Sequence, residues 1–211
     1  MQQKCALFDF DGVIANTEPL YDYFWNDAAK RYGLKIPNFA SLIKGTVMKD
    51  LQQKYFSYLS EEDKERMCRE CSEYELHMPL NEIPGSIAFL QLLKDNGIQT
   101  ALVTSSGEVK VERIVRDLKM EKLFDTIISA DKILHGKPDP MCYLLAADEL
   151  HRKPEECLVF EDSLAGIESA TKAGMRTIGL STTCKADKIR DKVWKVIPNF
   201  LGLTIADFLS W

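Results

Sequence analysis

No stretch of the 211-residue chain approaches the ~20 consecutive apolar residues that a membrane-spanning helix needs, so a helical membrane protein is excluded. An excess of basic charge is missing as well. The 27 Lys and Arg stand against 32 Asp and Glu, and a net charge of −5 offers no electrostatic footprint for nucleic acid or an anionic membrane surface. There is no internal repeat and no low-complexity segment. Met1 to Lys4 is too polar and too short to open a secretory signal. The six cysteines (Cys5, Cys68, Cys71, Cys142, Cys157 and Cys184) are scattered through a chain too long to need stapling, so reduced thiols and a cytoplasmic protein are expected. Only Cys68 and Cys71 have ligand-like spacing. With no second pair and only His77 nearby, they read as helix surface rather than as zinc ligands.

What is present is an ordinary globular composition, 45% apolar and 28% charged. The most informative stretch is Lys4-Cys-Ala-Leu-Phe-Asp-Phe-Asp-Gly-Val-Ile14. Cys5 to Phe8 is a short apolar run suited to a strand buried on both faces of a parallel sheet, and it stops abruptly at Asp9, Phe10, Asp11 and Gly12. Alternation along a strand sends Asp9 and Asp11 to one side, roughly 6–7 Å apart in extended chain, and Phe10 to the other. Asp before Gly also reads as a plain turn. Carboxylates held so close repel each other, however, and a divalent cation between them resolves the conflict. Hard oxygen ligands suit magnesium (Mg2+) beside a phosphate.

From Asn16 to Leu80 the pattern turns helical. Leu20, Phe24, Ala28 and Tyr32 recur every fourth residue up to Gly33, and a second helix is expected over Val47 to Tyr58. Ser60-Glu-Glu-Asp63 caps a third that runs through Met67 and Cys71 toward Met78. No strand is needed here, so residues 16–80 read as a helical insertion. After Pro84-Gly85 helix and strand alternate, with strands at Gln99 to Thr104, Thr126 to Ser129, Cys157 to Glu161 and Arg176 to Leu180. The helices between them are expected over Ile87 to Lys94, Lys110 to Leu118, Met141 to Leu150 and Ser163 to Ala173. This alternation predicts an α/β fold, a doubly wound, Rossmann-like parallel sheet built from residues 1–15 and 81–211, with a helical cap inserted after the first strand.

Ligands of open α/β sheets sit beyond the carboxyl ends of the strands. There the first strand carries Asp9 and Asp11. The second ends in Thr104-Ser105-Ser106-Gly107, hydroxyls and N–H groups at the start of a helix that can cradle a phosphate. The segment after the third holds Lys137, in His135-Gly-Lys-Pro-Asp-Pro140, as a fixed positive charge. The fourth ends in Glu161-Asp162-Ser163, more carboxylate for a metal. Each piece alone has a plain alternative, a helix cap or a surface lysine. Together, four strand ends carry the parts of one phosphoryl-transfer site.

These residues resemble the haloacid dehalogenase superfamily of phosphotransferases over nearly the whole chain. The resemblance is carried by Asp9-Phe-Asp-Gly-Val13 with Thr17-Glu18, Leu102-Val-Thr-Ser-Ser106, Gly136-Lys-Pro-Asp-Pro140, and Val159-Phe-Glu-Asp-Ser163 with Ala165-Gly-Ile167 and Ala173-Gly174. The insertion is similar to the helical cap of β-phosphoglucomutase and of many small-molecule phosphatases. The resemblance implies that Asp9 is the nucleophile, forming an aspartyl phosphate, and that Asp11 is the general acid and base. It implies that Thr104, the backbone at Ser105 and Lys137 hold the phosphoryl oxygens. Magnesium is then bound by Asp9, the backbone carbonyl of Asp11 and Asp162, with Glu161 a direct ligand or the support behind one. The expected partner is a small phosphorylated metabolite handled by a monomer, with no nucleic acid and no membrane.

Departures from the family pattern narrow the reading. Asn16 stands where an acidic residue often precedes Thr17. The mutase branch offers a cap histidine soon after the first motif and an arginine after a Lys-Gly pair; here the places hold Tyr21 and, after Lys44-Gly45, Met48. Tyr21, Lys44, Gly45 and Met48 are thus the candidate substrate contacts of the cap. Hydrolysis of a phosphorylated metabolite, a sugar phosphate among the candidates, is favoured over a sugar-phosphate mutase. The mutase stays the alternative, with Lys44 or Lys49 in the arginine's part. Asp11 separates the chain from dehalogenases and phosphonatases, which lack it. A receiver-like phospho-binding protein without turnover is the alternative of another class, but its acceptor usually ends the third strand rather than the first.

Overall fold

Strand β1 (Cys5–Phe8) is buried along its whole length because it lies in the middle of a six-stranded sheet. The computed structural model describes residues 5–44 and 46–211; Gly45, one of the candidate cap positions, lies outside the described residues. On one side β1 pairs with β2 (Gln99–Val103), which pairs with β3 (Thr126–Ile128). On the other it pairs with β4 (Cys157–Glu161), followed outward by β5 (Arg176–Leu180) and β6 (Lys195–Ile197). The order is β3-β2-β1-β4-β5-β6, every pairing parallel, and Phe8 lies level with Leu102 and Phe160. This is the doubly wound α/β sheet the alternation predicts.

Between β1 and β2 the chain forms α1 (Glu18–Arg31), α2 (Met48–Tyr55), α3 (Glu61–His77) and α4 (Ser86–Asp95). Beyond β2 come α5 (Glu108–Asp117), α6 (Met141–Glu149), α7 (Leu164–Lys172), α8 (Ala186–Ile189) and α9 (Ile205–Ser210). Because side chains alternate along a strand, the sheet feeds two cores. Ala6, Phe8, Leu102 and Phe160 pack with α4, α5 and α9 on one face, while Cys5, Leu7, Val103 and Val159 pack with α6 and α7 on the other. Phe10 joins the first of these, pointing away from the two acids beside it. A third cluster has its buried residues within 24–71, among them Trp25, Phe39, Leu51, Phe56 and Met67, with Tyr21 and Tyr74 packed against it. The chain enters and leaves this helical section side by side. Ala15 and Glu82 form an antiparallel bridge, Asn16 N–H donates to Asn81 O at 2.7 Å, and Ile83 N–H donates to Ile14 O at 2.7 Å.

Several local expectations change. Helix α2 stops at Tyr55 rather than Tyr58, because Phe56 leaves helical geometry to bury its ring edge-on between Tyr32 and Phe39. Cys71 is not on the helix surface: it is buried in the third cluster, with Cys68 half-buried one turn before it. The last strand and helices, β6, α8 and α9, are too short for periodicity to reveal. No helix among the described residues is long and apolar enough to cross a membrane.

Phe160 holds the first core together. It is fully buried and stacks on Phe8 with ring centroids 4.6 Å apart, and Phe89 and Phe200 close around it at 5.8 and 5.5 Å. Phe160→Ala should lower the unfolding free energy by about 3–5 kcal/mol, the usual cost of truncating a buried aromatic ring, read from the urea midpoint at unchanged slope.

Candidate active site

The carboxyl ends of β1, β2 and β4 meet beneath a cavity of about 600 Å³ between the sheet and α1–α3. Asp9 follows β1 directly, kept in register by its N–H bond to Phe160 O at 3.1 Å. Lys137 arrives from the segment after β3, 3% exposed, and donates to Asp9 Oδ1 at 2.8 Å, Glu161 Oε1 at 2.7 Å and Val103 O at 3.3 Å. Its three ammonium protons therefore join three strand ends.

Glu161, fully buried at the end of β4, accepts on both oxygens. Oε1 takes Lys137 and the Tyr143 hydroxyl at 3.1 Å; Oε2 takes the N–H groups of Asp162 and Ser163, both at 2.9 Å, and Ser163 Oγ at 3.0 Å. The bend that allows this depends on a missing side chain. A Cβ on Gly166, in the first turn of α7, would lie 1.6 Å from Glu161 Oε1. Gly12 does the same for the neighbouring acid: at φ +79° it admits Asp162 so closely that a Cβ would meet Oδ2 at 1.9 Å.

Asp9, Glu161 and Asp162 are all buried and offer carboxylate oxygens within 4.8 Å of one another, a cluster that could hold a metal ion. One lysine faces three carboxylates, an imbalance costly in a buried setting. Burial, with Glu161 and Asp11 adding repulsion, pushes the Asp9 carboxyl up to about 7 although Lys137 pulls the other way. The ammonium itself is held well above its ordinary value by Asp9 and Glu161 against the cost of burial. The two shifts agree on a firmly charged lysine shared between two acids. The excess negative charge and the hard oxygen donors suit a divalent cation such as magnesium.

Asp11 sits in a different environment. Its carboxylate accepts from Thr17 Oγ1 at 2.5 Å, from Ser106 Oγ at 3.2 Å, and from Lys110 Nζ at 3.0 Å on both oxygens. Thr104 follows β2 directly, its N–H bonded to Ile128 O at 2.9 Å and its Oγ1 accepting from Ser106 N–H at 3.1 Å. Asp9, Asp11, Ser105 and Asp162 line the cavity, and so do Tyr21, Lys44 and Met48 from the helical section. Lys137, Glu161 and Thr104 stand just behind that lining. Lys110, Glu75 and Tyr143 were not among the residues expected from sequence, and Ser106, expected in the phosphate cradle, directs its hydroxyl to Asp11. For Lys110 one signal existed, its spacing of four from Ser106 at the head of α5.

The chain matches the haloacid dehalogenase-like hydrolase family over residues 6–180. It belongs to that family. A phosphorylated carbohydrates phosphatase from Thermotoga maritima is 33% identical over 189 residues, 83% of each chain. Among solved structures, a family IA, variant 3 hydrolase from Entamoeba histolytica superposes with a TM-score of 0.85 at 27% identity, covering 99% of this chain and 98% of the other. A β-phosphoglucomutase from Clostridium difficile gives 0.81 at 26% identity, covering 99% and 97%. Within this haloacid dehalogenase-like family the chain is an enzyme of the phosphatase kind.

The close approach at Gly166 makes a direct test of the site's framing. Gly166→Ala must displace the buried Glu161 carboxylate and with it Lys137. It should lower stability by about 1–3 kcal/mol, as overpacking does, and cut turnover more than tenfold, checked by thermal melting alongside phosphatase assay.

Proposed function

We propose that this haloacid dehalogenase-like hydrolase is a magnesium-dependent phosphatase that hydrolyses a small phosphorylated metabolite, a sugar phosphate in kind, through an aspartyl phosphate. The observation that carries the reading is the pairing of Asp9 with Lys137 at the floor of a cavity whose wall holds Asp11. Lys137 fixes Asp9 by Oδ1, so Oδ2 attacks phosphorus. The Thr104 hydroxyl and the Ser105 N–H hold the oxygens of the transferring group, and the Lys137 ammonium joins them by turning to it the proton it otherwise lends to Val103 O at 3.3 Å, so the charge is stabilised by groups in place beforehand. Asp11, carrying a proton into the first step, gives it to the departing alkoxide and, left as the carboxylate that Thr17, Ser106 and Lys110 hold, takes one from the water that opens the aspartyl phosphate. Asp9, Asp162 and the carbonyl of Asp11 would hold magnesium, which when bound supplies charge neutralisation at the phosphoryl group. Glu161 already accepts five hydrogen bonds, so its part is to hold Lys137 and the turn into α7 rather than to coordinate.

In this reading residues 16–80 are a cap with its own core, hinged where residues 15 and 82 pair, and closure excludes bulk water from the first transfer. The cavity favours hydrolysis over a mutase cycle. A mutase must hold a second phosphate, best with an arginine fork. Here Met48 and Tyr21 line the expected places; Arg113 in the lining is taken up by the carbonyls of Glu75 and Met78 and by Asp117, Lys44 lies 3.2 Å from Asp22 Oδ1, Lys110 is paired with Asp11, and Lys49 is exposed outside the lining. The carbohydrate phosphatase from Thermotoga points the same way. A monomer in the cytoplasm, acting on a free metabolite, completes the proposal; the six cysteines are all free thiols.

Asp9→Asn keeps the shape of the side chain and removes the nucleophile. It should abolish turnover of p-nitrophenyl phosphate and of sugar phosphates while the melting temperature stays within a few degrees, and retained activity would sink the covalent mechanism. With β-glucose 1-phosphate and a trace of the 1,6-bisphosphate, free phosphate should far outrun glucose 6-phosphate.

The charge imbalance at Asp9 sets a pH dependence for the metal-free protein. Its carboxyl, at about 7 in the fold, stands above the unfolded value of about 4. The stability it contributes is therefore complete below about pH 4 and lost as pH rises through about 7. A cation that binds the ionised form restores it, so magnesium should raise the melting temperature more at pH 8 than at pH 5.5. An equal shift at both would contradict the assignment.

A further inference from the structure

Lys110 is buried, 5% exposed, at the head of α5, and it faces two ways. On the sheet side its Nζ lies 3.0 Å from each Asp11 carboxylate oxygen and 2.8 Å from Ser106 Oγ. On the side of α1 and α3 it donates to the Tyr21 hydroxyl, which itself donates to Glu75 Oε1 at 2.5 Å. Nζ also stands 3.9 Å from that Glu75 oxygen. Burial, with Asp11 and Glu75 adding repulsion, pushes the Tyr21 hydroxyl well up, so it stays a proton donor. One turn along α5, Arg113 donates to the carbonyls of Glu75 and Met78, fastening the end of α3 at the same seam. Holding α5 against α3 alone would not require a buried charge. The surface pair Arg31–Glu70 joins α1 to α3 at 2.7 Å without one. An ammonium taken out of water must be met by partners on every side, and here half of those partners belong to the helical section.

We propose that Lys110 is a positioning residue that makes the placement of Asp11 depend on closure of the cap. With Tyr21 and Glu75 in reach, the ammonium is fixed and presents a rigid anchor to both Asp11 oxygens; when the cap swings away, it loses that side of its shell and Asp11 loses its anchor. Proton transfer to the leaving group is then confined to the closed state, where water is excluded. This rests on the reading of Asp11 as acid and base.

The test is a set of double-mutant cycles among Lys110→Met, Tyr21→Phe and Asp11→Asn, with kcat and KM measured on one phosphate ester. Lys110→Met should lower kcat by about 10–100-fold and leave KM within about threefold, a fraction of the ~10²–10⁴-fold that acid–base catalysis supplies. In the Asp11→Asn background the same change should cost less than about twofold, and Tyr21→Phe should slow the wild type but not Lys110→Met, since groups acting as one unit are not additive. Tyr21→Phe keeps the ring and its packing, so it carries the test alone if Lys110→Met fails to fold: its slowing must vanish when Asp11 is Asn. Equal costs in both Asp11 backgrounds, or a raised KM at unchanged kcat, overturn the proposal and make Lys110 a structural or substrate-binding residue. A wild-type rate in Asp11→Asn alone overturns the acid–base reading, and the proposal with it, in a variant that leaves Lys110 untouched.

Discussion

The site depends on one buried ammonium. Lys137 spends its three protons on the ends of three neighbouring strands, Asp9 after β1, Val103 O on β2 and Glu161 on β4; Val103 and Glu161 are fully buried, and Asp9 alone of the three meets the cavity. Taking that charge away would leave Asp9 and Glu161 facing each other with Asp162 close by, a concentration of negative charge that a fold of marginal stability does not carry without protonation or a metal. The neighbourhood is arranged to keep the lysine where it is. Tyr143 reaches Glu161 from α6, its hydroxyl pushed well up by burial and so held as a donor. The backbone of Asp162 and Ser163 holds the far oxygen, and Gly166 makes the room. The floor of the cavity and the register of the central strands are therefore one structure, and damage to either is felt in both.

How much of this could be read beforehand follows from where the information lies. The strands were legible because a strand buried on both faces must be a run of apolar residues, and Cys5–Phe8 and Cys157–Glu161 break into polar residues where the sheet ends. Asp9, Asp11 and Asp162 were legible for the same reason, each standing just beyond such a break, whereas Lys137 lies well past the end of β3 and was legible from the Gly136-Lys-Pro-Asp-Pro140 stretch around it. Lys110 was not. Its role arises from contact with Tyr21, 89 residues away, across a seam between two hydrophobic clusters, and a lysine on an amphipathic helix ordinarily signals water. Expecting α5 to start at Lys110 instead of Glu108 hid the helical turn that brings Ser106 and Lys110 together. Glu161 shows a different limit. Its residue type marks it as a possible metal ligand, but the five hydrogen bonds that saturate it come largely from the turn into α7, whose geometry no spacing rule encodes. Cys71 was misplaced because α3 is so rich in charge that its buried stripe, Met67 and Cys71, is two residues wide.

The same strand end thus carries two carboxylates, two residues apart, and the fold gives each a lysine of its own. Asp9 is closed in with Lys137 and two further acids, a setting that burial and repulsion make hostile to a second negative charge until a cation arrives. Asp11 stands at the cavity wall among donors, with Thr17, Ser106 and Lys110 all directed at it. Chemistry that needs a nucleophile and a proton carrier side by side needs two carboxyl groups that do not behave alike, and environment is the means by which identical side chains are told apart. In the proposed reaction Asp9, held beside Lys137 at 2.8 Å, takes the part that meets the phosphoryl group. Asp11 lies where α1, α3 and α5 converge, and it is there that the proposed coupling to the helical section acts. The difference between their surroundings does not come from the motif Asp9-Phe-Asp11, which is symmetric in its acids, but from the two lysines, one brought by the segment after β3 and the other by a helix that touches α1 and α3.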